Sequence, residues 1–178
     1  MSQDSQTVGK VFLVGAGPGD PGLITLRAIE CLQQADAVLY DYLVNPQILA
    51  HASPAAQCTC LGQHGQTRIW QQSEINEEIV NLARQGKTVV RLKGGDPAVF
   101  ARGAEEVGIL VEQGIPFELV PGITAALAAA SYATDHQVNP PAVWFNDGES
   151  GLEEVSWDAI RAFGSGTYLR QGAVWSYC

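Results

Sequence analysis

Short apolar strand candidates alternate along this chain with amphipathic helical segments, and this alternation constrains the fold more than any other feature. Each strand candidate ends near a turn containing glycine, proline or aspartate, and several of the following connections are too long for hairpins. Strands joined by helical crossovers form a mostly parallel sheet flanked by helices, so we predict the α/β class. In such sheets ligands bind beyond the carboxyl ends of the strands. The predicted strands cover residues 8–14, 37–40, 57–61, 88–92 and 117–120, and the predicted helices cover 23–34, 72–85, 101–113 and 124–133.

Two of the predicted helices carry apolar residues at helical spacing, which indicates one buried face on each. In the helix at 72–85, Ser73 is the expected N-terminal cap and Gly86 the expected stop. The expected buried faces are Leu23, Leu26, Ile29 and Leu32 in the first helix, and Ile75, Ile79, Leu82 and Ala83 in the second.

Composition narrows the class of protein further. Of the 178 residues, 46% are hydrophobic and 16% charged, which supports a packed core and excludes global disorder. The net charge of -9 disfavours nucleic acid as a partner. The small apolar run at 123–133 is shorter than the about 20 residues that span a bilayer, and the polar beginning lacks an apolar signal region. We expect a cytoplasmic protein that binds neither nucleic acid nor membranes.

The four cysteines have no spacing typical of a disulfide framework or a zinc site. Cys58 and Cys60 with His64 suggest a metal cluster, but a tetrahedral site needs further ligands. We therefore favour a strand with two thiols on one face, and we expect no bound metal.

The glycine-rich segment at 15–22 follows a strand and precedes a helix, as a dinucleotide-binding loop does. The pattern of three glycines fails, however, because Asp20 stands in the third position and adds negative charge where a phosphate would lie. Pro18 stiffens the loop as well. A phosphate-bearing nucleotide is therefore disfavoured, and a plain tight turn remains an alternative. Asp41 ends the second strand, where it is either an ordinary strand-end acid or a functional one.

The segment at 91–97 is more informative, because two glycines after a buried strand allow a flat ligand to approach the backbone. Asp96 offers a carboxylate to a ribose or an amine. Arg102 and Glu105 lie three residues apart on one helix face, which is equally typical of a weak surface ion pair. The turn at 121–125 is either part of the same site or a helix start capped by Thr124.

Taken together and in order, these segments are specific. The chain from residue 8 to residue 133 resembles the tetrapyrrole methylase family, and within it the branch that acts on uroporphyrinogen III. The segments that carry the resemblance are GAGPGDPGLITLRA at 15–28, AVLYDYLV at 37–44, EIN at 74–76, VVRLKGGDPAVFARGAEE at 89–106 and GIPFELVPGITAALAAASYA at 114–133.

The resemblance implies two α/β domains with S-adenosylmethionine folded in the cleft between them. It implies two successive methyl transfers to uroporphyrinogen III, giving precorrin-2 for sirohaem or cobalamin synthesis, and a homodimer if the second domain is complete. Asp41 matches the proton acceptor of the family, and Arg102 and Glu105 match residues that engage the substrate. Residues expected to contact the cofactor are Pro18, Gly94, Gly95, Asp96, Val99, Thr124 and Ala125.

A carboxylate such as Asp41 is a sensible base for this reaction, because a proton leaves the ring system after carbon methylation. The substrate is a polycarboxylate, so arginines can bind it through forked hydrogen bonds. Arg102 is the expected main contact. Arg27, Arg91 and Lys93 are possible helpers.

The sequence also departs from the family. Gln63 stands where the family usually has a lysine that donates a proton, and the neighbouring His64 could replace it. Alanines replace two glycines around Arg102, a mild change. After Ala133 the family pattern is lost and returns only in part. We therefore expect a tail at 1–7, an α/β domain at 8–122 and a partial second domain at 123–178, which reflects truncation, a frameshift or true divergence.

Three alternatives to an active enzyme on uroporphyrinogen III stay open. The chain could be an inactive fragment that binds a tetrapyrrole without catalysis, which Gln63 and the altered tail favour. It could be a tetrapyrrole methylase with another substrate. A nucleotide-dependent oxidoreductase is the most distant alternative, because its glycine pattern fails.

Overall fold

The computed structural model describes residues 8–62, 70–99, 101–133, 166–170 and 173–177. Its main element is a five-stranded sheet with the order β3-β2-β4-β1-β5. All pairs of neighbouring strands in this sheet are parallel. The predicted α/β architecture is thereby confirmed. The strands are β1 (Val11–Gly15), β2 (Ala37–Tyr40), β3 (Gln57–Cys60), β4 (Val89–Lys93) and β5 (Phe117–Val120).

Helices cover both faces of the sheet, because alternate residues of the central strands point to opposite sides and are apolar on each. On one face α1 packs beside the second of two short 3-10 helices, and on the other face lie α2 and α3. The helices are α1 (Leu26–Gln33), α2 (Gln72–Arg84), α3 (Gly103–Glu112) and α4 (Ala125–Ala133), and the 3-10 helices are Pro21–Leu23 and Pro46–His51.

The two cores divide the residues of each central strand between them. Val90 and Leu92 of β4 lie in the core under α1, whereas Val89 lies in the core under α2 and α3. The predicted inner face of α2 is confirmed, since Ile75, Ile79, Leu82 and Ala83 are all buried there.

The start of α1 differs from the prediction. Asp20 caps a separate 3-10 turn that begins with Pro21, and the Thr25 side chain accepts a hydrogen bond from the Ala28 amide to begin the α-helix. This two-step start rotates the predicted stripe, so Leu26 is 81% exposed while Ala28 is buried.

The cap of α2 also differs. Ser73 lies inside the helix, and Gln71 is the N-terminal cap. Its amide donates to Oε2 of Glu74 at 2.9 Å, which is one half of a capping box. The glutamate three residues after the cap decides the start of this helix, and a serine within the first turn does not.

Near the end of the chain the alternation of strands and helices gives way to an antiparallel pair, β6 (Gly166–Arg170) and β7 (Ala173–Tyr177). The sequence showed no strand–helix pair in this region, and the structure has two paired antiparallel strands there. None of the helices in the described residues is long and apolar enough to cross a membrane.

Candidate active site at the carboxyl edge of the sheet

The strand order creates a crevice between β1 and β4, because the chain leaves these neighbouring strands in opposite directions. After β1 it goes to β2 on one side, and after β4 it goes to β5 on the other. Such a switch point is the usual ligand site of an open α/β sheet. The glycine-rich segments predicted to carry chemistry follow these two strands, so the fold brings them together.

In this structure the two loops bind each other across the crevice. Gly17 and Gly95 form an antiparallel bridge, with the Gly17 amide donating to the Gly95 carbonyl at 3.1 Å and the reverse hydrogen bond at 2.8 Å. The amide of Gly17 is therefore not free to receive a phosphate. This contact agrees with the sequence argument against a nucleotide loop, and it requires glycine at position 95, where φ is 68°.

Three glycines from three loops form a close contact that we call the glycine clasp: Gly15, Gly95 and Gly122. A Cβ on Gly15 would lie 2.6 Å from the Gly122 nitrogen, and a Cβ on Gly122 would lie 2.3 Å from the Gly95 carbonyl oxygen. Real Cβ atoms do not approach backbone this closely. The clasp therefore joins the ends of β1, β4 and β5 into one rigid rim.

Asp96 ties the same loops together. Its Oδ1 accepts from the Ala98 amide at 2.8 Å, and its Oδ2 accepts from the Gly122 amide at 3.0 Å. Both oxygens thus bind backbone of this chain, in the Asx-type manner that stabilises turns. The structure assigns Asp96 a clear role in shaping the rim.

The loop after β1 is anchored by side chains on both sides. Asn45 donates to the Gly19 carbonyl at 2.7 Å, and the Tyr132 hydroxyl donates to Oδ2 of Asp20 at 2.8 Å. The Gly22 amide and the Tyr132 hydroxyl lower the pKa of Asp20, so this acid stays ionised. In turn, the nearby Asp20 carboxylate raises the pKa of Tyr132. The negative charge predicted to repel phosphate is therefore present at the rim.

Asp41, the predicted proton acceptor, lies directly after β2 at the same rim. Its Oδ1 binds Nη2 of Arg91 at 2.6 Å, and its side chain is 30% exposed while that of Arg91 is 2% exposed. The carboxylate thus has one side on a buried cation and another side open to the rim.

Arg91 belongs to a group that we call the buried charge cluster: Asp41, Arg91, Lys93 and Glu106. Arg91 and Lys93 lie two residues apart on β4, so both point to the face covered by α3. Glu106 of α3 lies between them, with Oε1 at 3.0 Å from Arg91 Nε and at 2.9 Å from Lys93 Nζ. Burial lowers the pKa of Lys93 and the Arg91 charge adds to this, whereas Glu106 and Asp41 act in the opposite direction.

The cluster corrects the prediction that Arg91 and Lys93 help to bind substrate carboxylates. Arg91 and Lys93 are buried against Glu106, and Arg27 forms ion pairs with Glu30 and Glu118. Sequence reasoning missed Glu106 as their partner. A signal was present, because two cations two residues apart in a buried strand need an anion on the same face.

Arg102 and Glu105 bind each other at the exposed start of α3, with Nε to Oε1 at 2.9 Å. Their side chains are 63% and 51% exposed, so both can meet a ligand. Arg102 has a φ of 52°, a left-handed conformation that is uncommon outside glycine. The next residue is tightly packed, since a Cβ on Gly103 would lie 2.2 Å from the Pro97 carbonyl oxygen.

The remaining predicted cofactor residues lie around the clasp. A Cβ on Gly95 would lie 3.7 Å from the Ala125 nitrogen and 3.9 Å from the Thr124 Cα, and one on Gly94 would lie 3.3 Å from the Leu43 Cβ. Gly94 is thus held close by Leu43. Pro18 is half-buried beside Gly17, and Val99 is 41% exposed. The fold brings Gly95, Thr124 and Ala125 together at this rim, and a cofactor contact of these residues stays a prediction.

Two departures from the family pattern, Gln63 and His64, fall outside the described residues. Cys58 and Cys60 lie on the edge strand β3, as predicted, with free thiols. Within the described part of the chain, no three residues of the metal-binding types gather into a cluster.

These features define the class of protein as a parallel α/β protein with a rigid, acidic rim at its topological switch point. The model of the tetrapyrrole (corrin/porphyrin) methylases matches residues 10–144, so the chain belongs to this family. The resemblance seen in the motifs is thereby confirmed.

Three relatives show how the chain compares in length. It is 46% identical over 159 residues to a uroporphyrinogen-III C-methyltransferase of Priestia megaterium, covering 86% of this chain and 67% of that protein. It is 47% identical over 157 residues to siroheme synthase 1 of Yersinia enterocolitica, covering 85% of this chain and 33% of that protein. A uroporphyrin-III C-methyltransferase of Thermus thermophilus, solved with S-adenyl homocysteine, aligns with a TM-score of 0.60 and 48% identity over 69% of this chain and 52% of that one. The chain therefore spans about a third to two thirds of these relatives.

Proposed function

We propose that this chain carries out S-adenosylmethionine-dependent C-methylation of uroporphyrinogen III. In this proposal two methyl transfers give precorrin-2, which feeds sirohaem or cobalamin synthesis. The observation that carries the proposal is the Asp41 carboxylate, held by Arg91 at a glycine-rich rim in a chain 46% identical to a uroporphyrinogen-III C-methyltransferase.

The rim fits S-adenosylmethionine, the methyl donor, better than it fits a nucleotide with phosphates. Asp20, Asp41 and Asp96 make it acidic, and the loop amide of Gly17 is bound by Gly95. S-adenosylmethionine supplies a methyl group on a cationic sulfonium and carries no phosphate. In the proposed complex the donor lies against the backbone of Gly94, Gly95, Asp96, Thr124 and Ala125, with Pro18 and Val99 at its borders.

Each polar residue has a distinct task in this mechanism. Asp41 accepts the proton that leaves the ring system after the new carbon–carbon bond has formed, through the oxygen that Arg91 does not hold. Arg102 binds carboxylates of the substrate with its forked guanidinium, and Glu105 orients Arg102. The rigid rim holds donor and acceptor in line, which is the main requirement of a displacement at a methyl carbon.

The test is anaerobic incubation of the purified chain with uroporphyrinogen III and S-adenosylmethionine, followed by mass analysis of the products. We expect the singly and doubly methylated species, and we expect Asp41→Asn to abolish them. Glu112→Gln, an exposed change on α3, is the matched control and keeps activity. A folded parent chain that forms no methylated product would refute the proposal for this chain.

A second candidate, a non-catalytic tetrapyrrole-binding chain, is favoured by one observation: Gln63 stands where the family usually has a lysine that donates a proton. It predicts that uroporphyrinogen III binds while no methylation follows. A binding titration beside the product assay separates the two candidates, because Arg102→Ala weakens binding in both but only the enzyme loses a product.

The domain boundaries at residues 122 and 123, the homodimer and the cytoplasmic location remain predictions. Size-exclusion chromatography with light scattering tests the dimer directly.

A further inference from the structure

Within the buried charge cluster, Arg91 makes several hydrogen bonds in addition to its ion pair with Asp41. Nε of Arg91 donates to Glu106 at 3.0 Å, and Nη2 donates to Asp41 at 2.6 Å. Nη1 faces two backbone carbonyls, those of Leu92 at 3.2 Å and Leu39 at 3.4 Å. All three nitrogens of the planar guanidinium are engaged, so its plane has one orientation.

This orientation determines which part of Asp41 is available. Arg91 binds Oδ1, and in the described part of the chain Oδ2 receives no hydrogen bond. Asp41 is 30% exposed while Arg91 and Glu106 are buried to 2% and 0% exposure. The cluster thus extends from the buried Glu106 to the partly exposed Asp41 at the rim, where Oδ2 of Asp41 is the available oxygen.

We propose that Glu106 is a positioning residue of the active site: it fixes Arg91 through Nε, so that Arg91 presents Asp41 with one oxygen held and the other available as the base. The proposal rests on the proposed function, in which Asp41 accepts the proton. Glu106 itself is fully buried and acts only through Arg91.

The competing explanation is that Glu106 merely neutralises two buried cations. Removing Glu106 alone cannot separate the two ideas, because it removes the carboxylate that binds Lys93 and one of the two that bind Arg91. Breaking a buried ion pair in this way costs about 3–5 kcal/mol. A pair of double variants does separate them. Lys93→Met/Glu106→Gln and Lys93→Met/Glu106→Leu have the same charge, but only the glutamine offers an oxygen to Arg91 Nε.

Two readouts are needed. The first is the hydrogen-exchange rate of the Arg91 Nε–H group by nitrogen-15 NMR, which requires no catalysis. The second is kcat and KM for uroporphyrinogen III. We expect the leucine variant to exchange at least tenfold faster than the glutamine variant. We expect its kcat to be about ten- to a hundredfold lower with KM little changed, because misplacing a catalytic group costs rates of this order.

Equal exchange rates in the two double variants would overturn the proposal, and so would different exchange rates with equal kcat. Urea denaturation of both variants checks that each is folded, and Glu112→Gln on the same helix is the surface control. A parent chain without methylated product overturns the proposed function and the catalytic part of this proposal. The exchange rates then still decide whether Glu106 orients Arg91.

Discussion

The glycine clasp makes a sharp prediction about stability, since a single methyl group at Gly122 has no room. A Cβ there would lie 2.3 Å from the Gly95 carbonyl oxygen and 2.8 Å from the Gly15 Cα. Ordinary contact begins near 3.4 Å, so the Gly122→Ala variant has to move one loop by about 1 Å. The oxygen in its way also accepts the hydrogen bond of Gly17.

The expected loss of stability is the sum of two contributions, the overpacking by the new methyl group and the weakened hydrogen bond between Gly17 and Gly95. Overpacking a rigid site costs about 1–3 kcal/mol. Losing or stretching the hydrogen bond between Gly17 and Gly95 costs about 1 kcal/mol more. We therefore expect Gly122→Ala to lower the free energy of unfolding by about 2–4 kcal/mol, a large part of the about 5–15 kcal/mol of a typical domain.

Urea denaturation followed by circular dichroism measures this difference. The control is Gly108→Ala in α3, where a Cβ meets nothing within 4 Å. That change removes a glycine from a helix interior and raises the free energy of unfolding by about 0.5–1 kcal/mol. A Gly122→Ala variant within about 0.5 kcal/mol of the parent would show that the three loops do not meet as the structure has them.

Three further predictions follow from other parts of the structure. Lys10 and Arg27 lower the pKa of Glu118 from its ordinary value of 4.5. The ionised Glu118 therefore stabilises the fold at pH values above 4.5, and this stabilisation is lost as the pH falls through the lower pKa of the folded state. Urea denaturation across the acidic range should show that the free energy of unfolding depends less on pH in Glu118→Gln. Arg102→Gly should leave the free energy of unfolding unchanged or raise it by up to about 1 kcal/mol, because it relieves a left-handed arginine, while a titration shows weaker binding of uroporphyrinogen III. A thiol reagent should modify the exposed Cys58 in the native chain and reach the buried Cys31 only on unfolding, as peptide mass mapping would show; modification of Cys31 first would contradict this.

The parts of the fold that local patterns determine could be predicted from the sequence. The strands at 37–40 and 117–120 match to the residue, because an aspartate and a proline end them. The α1 start was wrong, since a proline and a threonine a few residues apart each begin a different helix type. Which of the two residues begins the α-helix depends on tertiary packing, and local sequence patterns carry no information about that packing.

The parts of the site that depend on contacts between distant segments could not be predicted in the same way. Arg91 and Lys93 looked like ligands for substrate carboxylates because their partner Glu106 comes from the next helix. For Asp96 the sequence predicted a cofactor contact, which stays a prediction, but it did not predict that both carboxylate oxygens bind backbone. In each case the residue type was informative, and the partner was set by the topology of the sheet.

The pairing of the cations bears on how an acidic chain could bind a substrate with many carboxylates. Among the described residues, Arg91 and Lys93 are buried against carboxylates and Arg27 pairs with two of them, whereas Arg102 is 63% exposed and pairs with Glu105. An exposed pair of this kind contributes about 0–1 kcal/mol, so a substrate carboxylate can replace Glu105 at little cost. Before substrate binds, Glu105 holds the guanidinium of Arg102, whose backbone has the left-handed conformation. In the proposed complex Arg102 is therefore a preorganised cation for a substrate carboxylate, although the net charge of -9 is repulsive.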